Sequence, residues 1–238
     1  MARRARLRLA RVPMHVIQRG NNHGAIFFAP SDYDFYLDRL DDAMSRHGCA
    51  IHAYVLMTNH VHLLLTPFAA DAVSLAMRDL GRCYVQQYIN KAYARSGTLW
   101  EGRFKASLVA AEDYFLTCCR YIELNPVRAG MVSHPADYRW SSYRHHALGE
   151  PNSCLTSHPL FRRLGASPEE RRSAYQALFR HDLEAEELRT IRVAANGGWP
   201  VGGECFKDQI EAALERPARP PRRGRPQQHG RKCGPDPN

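Results

Sequence analysis

Met57-Thr-Asn-His-Val-His-Leu-Leu-Leu65 decides the reading of this chain. From His60 onward the run is apolar apart from its two histidines, which is the composition of a buried strand. Strand side chains alternate between faces, so His60 and His62 point one way and Val61 and Leu63 the other. Cys49 to Leu56 is a second apolar run, and Met57-Thr58-Asn59 between the two is a turn, so the pair reads as an antiparallel hairpin. A lone buried histidine is ordinarily a satisfied core residue. Two imidazoles side by side on one strand face can hold a divalent cation.

The segments around the hairpin complete a domain. Met14-His-Val-Ile-Gln-Arg19 alternates as a first strand and leaves through the turn Gly20-Asn-Asn-His-Gly24, with Ile26-Phe-Phe28 a short strand or bridge. Ser31 and Asp32 start a helix carrying Leu37, Leu40, Ala43 and Met44. The spacing of Leu75, Met77, Leu80, Tyr84, Val85 and Tyr88 predicts a long amphipathic helix over 71–94. A strand over Ala106–Ala110 follows, then a helix from Ala111 that should stop at Asn125, before Pro126. Strand, helix, hairpin, helix, strand, helix gives an α+β domain with helices covering an antiparallel sheet, closed by residues 137–146. The domain is expected over 1–148. Helices near 168–181, 183–195 and 204–214 form a small helical appendage over 149–215, and 216–238 is an Arg/Pro-rich tail expected to be disordered.

Charge and cysteine usage narrow the function. The net charge is +9, yet residues 1–11 carry five arginines and residues 216–232 six arginines and a lysine, without an acid in either stretch. The body between them is therefore slightly acidic. Basic arms on a folded body point to a polyanion, most often nucleic acid, and arginine grips phosphate in a bidentate manner. Seven scattered cysteines with no C-x-x-C pair argue for reduced thiols in a cytoplasm and against a thiolate zinc site. No apolar run approaches the roughly 18–20 residues of a membrane span, and no secretory leader follows the basic first residues.

The helix from Ala111 ends Cys118-Cys-Arg-Tyr-Ile-Glu-Leu-Asn-Pro126, where Tyr121 and Asn125 lie four apart on one helix face. Packed over the sheet beside His60 and His62, that face would supply an amide oxygen from Asn125 as third ligand and a phenol next to an open metal site. A phenol with an unperturbed pKa near ~10 is a poor nucleophile. It becomes useful against a phosphodiester that a metal has polarised and oriented. Tyr84, Tyr88 and Tyr114 are rivals for the role; the position of Tyr121 before the Asn-Pro stop singles it out. Glu123 is rotated away around the helix and is not a catalytic base. His47, His52, His145 and His146 have no partner spacing and read as surface or structural, and Cys118 and Cys119 as small core residues.

His15-Val-Ile-Gln-Arg-Gly-Asn-Asn22, the Met57–Leu65 run, Leu99-Trp-Glu-Gly-Arg-Phe-Lys105, Tyr121-Ile-Glu-Leu-Asn-Pro-Val-Arg-Ala-Gly130 and Trp140-Ser-Ser-Tyr143 occur in this order over about 15–145. Together they resemble the REP-associated tyrosine transposases, within the single-tyrosine HUH transposases of the insertion-sequence type. The resemblance implies an RRM-like or ferredoxin-like core that acts on single-stranded DNA bearing hairpins (REP-like repeats), in the cytoplasm at the nucleoid. It implies cleavage by tyrosine attack to a 5′-phosphotyrosine and a free 3′-hydroxyl, with Mg²⁺ or Mn²⁺. Carried over by position, His60 and His62 are the metal-binding pair and Tyr121 the nucleophile; Asn125 stands where relatives commonly place a Gln. Monomer and homodimer both remain open.

Arg103 and Lys105, just before a strand, are candidates for phosphate contacts. In the tail, Arg222-Arg-Gly-Arg-Pro226 resembles an AT-hook, with Arg222, Arg223 and Arg225 either in an A·T-rich minor groove or clamping phosphates without sequence preference. Two other readings stand beside the transposase: a metal-dependent nuclease in which water attacks, and a non-cleaving hairpin DNA- or RNA-binding module.

Overall fold

In the computed structural model, which describes residues 5–220, the two apolar runs form β2 (Cys49–Met57) and β3 (His60–Pro67), joined by the two-residue turn Thr58-Asn59. β1 (Met14–Arg19) pairs with the other side of β3, and β4 (Lys105–Leu108) pairs with β1. The sheet order is β2-β3-β1-β4, antiparallel throughout. The register sets His62 opposite Ile17 and Val55, and His60 opposite Arg19 and Met57.

One face of the sheet is a closed apolar layer. Met14, Val16, Val61, Leu63, Leu65 and Leu108 pack there against Tyr36, Leu40 and Met44 of α1 (Pro30–Arg46) and Ala76 and Leu80 of α2 (Ala72–Arg82). α2 continues through a π-helical stretch, Cys83–Ile89, to Ala92, close to the predicted 71–94. α1 begins at Pro30, where a missing N–H costs nothing. Its first turn is fixed by Asp32, whose carboxylate accepts from the Phe28 and Ala29 N–H groups and from the Tyr88 and Tyr93 hydroxyls. Ile26-Phe-Phe28 is not a strand; the Ile26 and Phe27 N–H groups both reach the Thr58 carbonyl and tie this loop to the β2–β3 turn.

The opposite face carries Ala53, Val55 and Leu64 beneath Phe115, Cys118, Cys119 and Ile122 of α3 (Ala111–Glu123). Pro126 does not end the helical path but opens a further turn, α4 (Asn125–Arg128), because proline is well placed in a first turn. His52 is the extra residue of a β-bulge between Ile51 and Ala53. It is buried and structural, with Nδ1 donating to the Thr156 carbonyl and Nε2 receiving the Thr66 hydroxyl.

Beyond 150 come α5 (Pro159–Arg162), α6 (Pro168–Ala177), α7 (Ala185–Gly197) and α8 (Glu204–Leu214). α5, α6 and α7 join the α3 side of the core, with Tyr175, Ile191, Ala194 and the linking Val201 buried there, whereas α8 places Ile210 in the other core cluster; α7 lies across β4 and β1. Arg216 and Arg219, at the start of the basic tail, are tied down: Arg216 donates to the Ala5 and Arg6 carbonyls and Arg219 pairs with Glu204, Asp208 and Glu211. Arg222, Arg223 and Arg225 lie outside the described residues. Among the described residues no helix is long and apolar enough to cross a membrane.

Candidate active site

The α3-side face is where the chemistry collects. Because paired residues of an antiparallel sheet share a face, His15, Ile17 and Arg19 of β1, His60 and His62 of β3, and Lys105 and Ser107 of β4 all project to this side. The His60 and His62 rings lie 5.0 Å apart between centroids, as the period-two spacing predicts. α3 brings Tyr121 over them, with its ring centroid 5.9 Å from that of His62 and 5.8 Å from that of His15. Two of the rival tyrosines are elsewhere: Tyr84 donates to the Ile26 carbonyl and Tyr88 to Asp32, both on the other side of the sheet, whereas Tyr114 lies on α3 itself, two turns before Tyr121, packed against the core on the α3 side.

The imidazoles are held neutral. Burial pushes His60 down to about 4, helped by Arg19 and His23, and pushes His62 well below the usual histidine range, helped by His15, His60, Arg128 and Arg19. Neutral rings offer lone pairs, and the hydrogen bonds around them choose which nitrogen does so. His60 Nδ1 donates to Asn59 Oδ1 at 2.6 Å, leaving Nε2 as the free donor atom. Asn59 is itself anchored, its amide donating to the His23 carbonyl. His62 Nδ1 lies 2.8 Å from Nε2 of His15. With the proton on His62 Nδ1, its Nε2 is also free for a cation, and the His15 proton then falls on Nδ1, a buried atom with no partner. Both rings thus have the far nitrogen engaged, the arrangement that orients metal-binding histidines.

The donor set fits a divalent cation completed by oxygen ligands. It does not fit a closed structural site, since among the described residues no group of three or more His, Cys, Asp and Glu side chains converges. Asn125 stands at the end of α3, where its amide nitrogen donates to the Tyr121 and Ile122 carbonyls, a helix-capping use that its carbonyl oxygen does not share. Arg128 lies over the Tyr121 ring, its Cζ 4.4 Å from the centroid, and donates to the Tyr121 carbonyl.

Arg103 and Lys105 reach the same side. With Ile17, Arg19, His23, Glu101, Gly102 and Asn196 they line a cleft of about 360 Å³ along β1 and β4. Asn196, from α7, accepts a hydrogen bond from Lys105 at 3.2 Å, so the C-terminal helices wall one side of this cleft. Where β1 ends, a Cβ at Gly20 would meet the Gly24 carbonyl oxygen at 2.2 Å, so only glycine fits the turn that follows Arg19.

Three residues escaped the sequence reading as participants: His15, Asn59 and Arg128. Each lies inside a stretch quoted above, and the alternation of β1 already put His15 on the face of Ile17 and Arg19. Glu123 is fully buried and accepts from Ser142, His146 and Tyr175, which fixes the end of the tyrosine helix to the C-terminal segments. His146 is accordingly an interior structural residue.

Comparison with known proteins bears on the fold and on the family. No curated protein matches the chain. The structure of a REP-associated tyrosine transposase bound to a REP hairpin superposes with a TM-score of 0.54 at 17% identity, covering 67% of this chain and 93% of that one, and shows a shared fold. A Deinococcus radiodurans R1 protein described as a transposase aligns at 23% identity over 51% of this chain and 96% of its own, with a TM-score of 0.37. The family model for IS200-like transposases matches residues 9–125, from five residues before the first strand to two residues beyond the tyrosine helix. Residues 9–125, just under half of the chain, belong to the IS200-like transposase family.

Proposed function

We propose that this transposase is of the REP-associated kind: it binds hairpin-bearing single-stranded DNA and cuts and rejoins it through a covalent phosphotyrosine at Tyr121. The observation that carries the reading is the meeting, on one sheet face and within one chain, of Tyr121 with His60 and His62. The hairpin in the similarly folded relative supports hairpin DNA as the substrate class. A nucleophile beside the imidazole pair of its own chain supports a site complete in one protomer. The working place of such an enzyme is the cytoplasm, at the nucleoid.

His60 and His62 would hold Mg²⁺ or Mn²⁺ through their Nε2 atoms, with Asn125 contributing its amide oxygen. The metal supplies charge stabilisation at the phosphate and orientation for in-line attack. The chain's own residues do the rest. Tyr121 attacks phosphorus and becomes joined to the 5′ side, and the 3′ oxygen departs and takes up a proton. The joined state retains the phosphodiester bond energy, so a second 3′-hydroxyl can reverse the step onto a new strand. Arg19, Arg103 and Lys105 along the cleft bind the flanking backbone by charge.

The test is covalent capture. Wild-type protein, Mn²⁺ and a hairpin oligonucleotide from the DNA flanking the gene should give a protein–DNA adduct that resists denaturation. Tyr121→Phe should lower it at least about 10³-fold while leaving DNA binding intact. Cutting that survives Tyr121→Phe would favour attack by water. Binding that tolerates His60→Ala and His62→Ala, in a protein that never nicks, would favour a binding module.

A further inference from the structure

Arg128 is an uncompensated cation at the edge of the site. Its guanidinium stacks on Tyr121, and one terminal nitrogen donates to the Tyr121 carbonyl. The other, Nη1, is sealed from solvent and has no partner. No carboxylate pairs with it among the described residues. Burial pushes the guanidinium down to about 10; the neighbouring Tyr121 opposes that shift and Arg192 on α7 adds to it. The charges that bear on His62 are likewise positive, from Arg128 and Arg19.

A buried charge without a partner is costly, and folded proteins normally supply a counterion. One stood close in the chain. Glu123 is five residues away and fully buried, but its carboxylate is turned to Ser142, His146 and Tyr175. The fold therefore gives this carboxyl group and the guanidinium separate partners and does not join them. Capping the helix end would need one N–H donor; it does not explain a second donor kept dry and unbonded beside the phenol.

We infer that Arg128 is a catalytic residue: its Nη1 binds a non-bridging oxygen of the phosphodiester that Tyr121 attacks. This rests on the function proposed above. In the step, the Tyr121 oxygen forms a bond to phosphorus and the P–O3′ bond breaks with its electron pair going to the 3′ oxygen. The phenol releases its proton to water, and the 3′ oxygen takes one from water. Negative charge on the non-bridging oxygens is greatest midway, where a fixed N–H donor with no reorganisation to make is most effective.

The experiment is a cycle on the full chain with a hairpin oligonucleotide carrying one neutral methylphosphonate, moved along the strand a position at a time. In a Tyr121→Phe background, one position should cost at least tenfold in affinity when Arg128 is present and nothing once Arg128→Gln is added. With Tyr121 restored and an unmodified strand, Arg128→Gln should slow adduct formation more than about 100-fold and Arg128→Lys about tenfold. The Mn²⁺ affinity of both, by calorimetry, should match wild type. Should Arg128→Gln fail to fold, Arg128→Lys carries the same cycle. Absence of coupling at every phosphate overturns the inference, as does coupling at a phosphate other than the one cut. Coupling in a protein whose wild type never forms an adduct would sink the tyrosine mechanism, and with it the catalytic role, while leaving Arg128 as a strand anchor.

Discussion

The two faces of the sheet are built from the same four strands and do opposite work. Under α1 and α2, Val16, Val61, Leu63, Leu65 and Leu108 are fully or almost fully buried, and burial raises the pKa of the tyrosines and the cysteine packed with them, Tyr36, Tyr54, Tyr84 and Cys49, keeping them uncharged. Under α3 and α7, the intervening residues of those strands are His15, Arg19, His60, His62 and Lys105, and the cleft beside β1 stays open. One face stores the stability that lets the other carry neutral, partly desolvated imidazoles and a phenol. Evenly distributed, neither task would be possible, since each buried polar group on the first face would weaken the layer that holds the second in register.

A reciprocal pair of substitutions tests that division most severely. Leu63→Ala should cost about 2–5 kcal/mol of unfolding free energy. Its adduct yield per folded molecule should be near that of wild type. His60→Ala, at the turn end of β3, should cost about 1 kcal/mol or less and remove Mn²⁺-dependent adduct formation. Urea unfolding and adduct assays on both proteins would show whether the two faces are separable; a stability loss of similar size in both would break the comparison. Next in size, Asn59→Ala removes the acceptor that fixes the His60 tautomer and should weaken Mn²⁺ binding about 10–100-fold in calorimetry.

Acid sensitivity should also belong to one face. Burial holds folded His15 at about 3 and His52 at about 4, whereas unfolded histidine titrates near ~6.5. Between those values the unfolded chain binds more protons than the folded one, so stability falls as pH drops from about 6.5 toward about 4 and recovers as pH rises. Urea midpoints across that range should show the slope, and His52→Gln should flatten it. The smallest effect expected is on the arms. Removing residues after Pro220 deletes Arg222, Arg223 and Arg225, and should reduce the salt dependence of DNA affinity by about 0.7–0.9 for each phosphate no longer neutralised. An unchanged slope would leave binding to the folded body alone.

What the sequence made legible is what short-range chemistry determines. Alternation placed His60 and His62 together, the Asn-Pro pair marked the end of the tyrosine helix, and helical spacing located α1, α2 and α8. Boundaries moved where a local signal had two meanings: Pro126 reads as a stop and serves as a start. The unread features depend on distant partners. The contact of His15 with His62 follows from the β1–β3 register, the bulge at His52 from a mismatch between strands, and the Glu123 cluster from residues on three separate segments. Arg128 was visible as a residue; that it is left without an acid is a property only of the folded chain.

Glu123 has a last consequence for how the molecule can be divided. The stretch shared with other IS200-like transposases ends two residues beyond it, while every group that satisfies its carboxylate comes from later in the chain. A gene shortened to the shared stretch would encode a helix end whose carboxyl group had lost all three of its partners. The transposition machinery and its C-terminal companion must then be inherited, expressed and engineered as one piece.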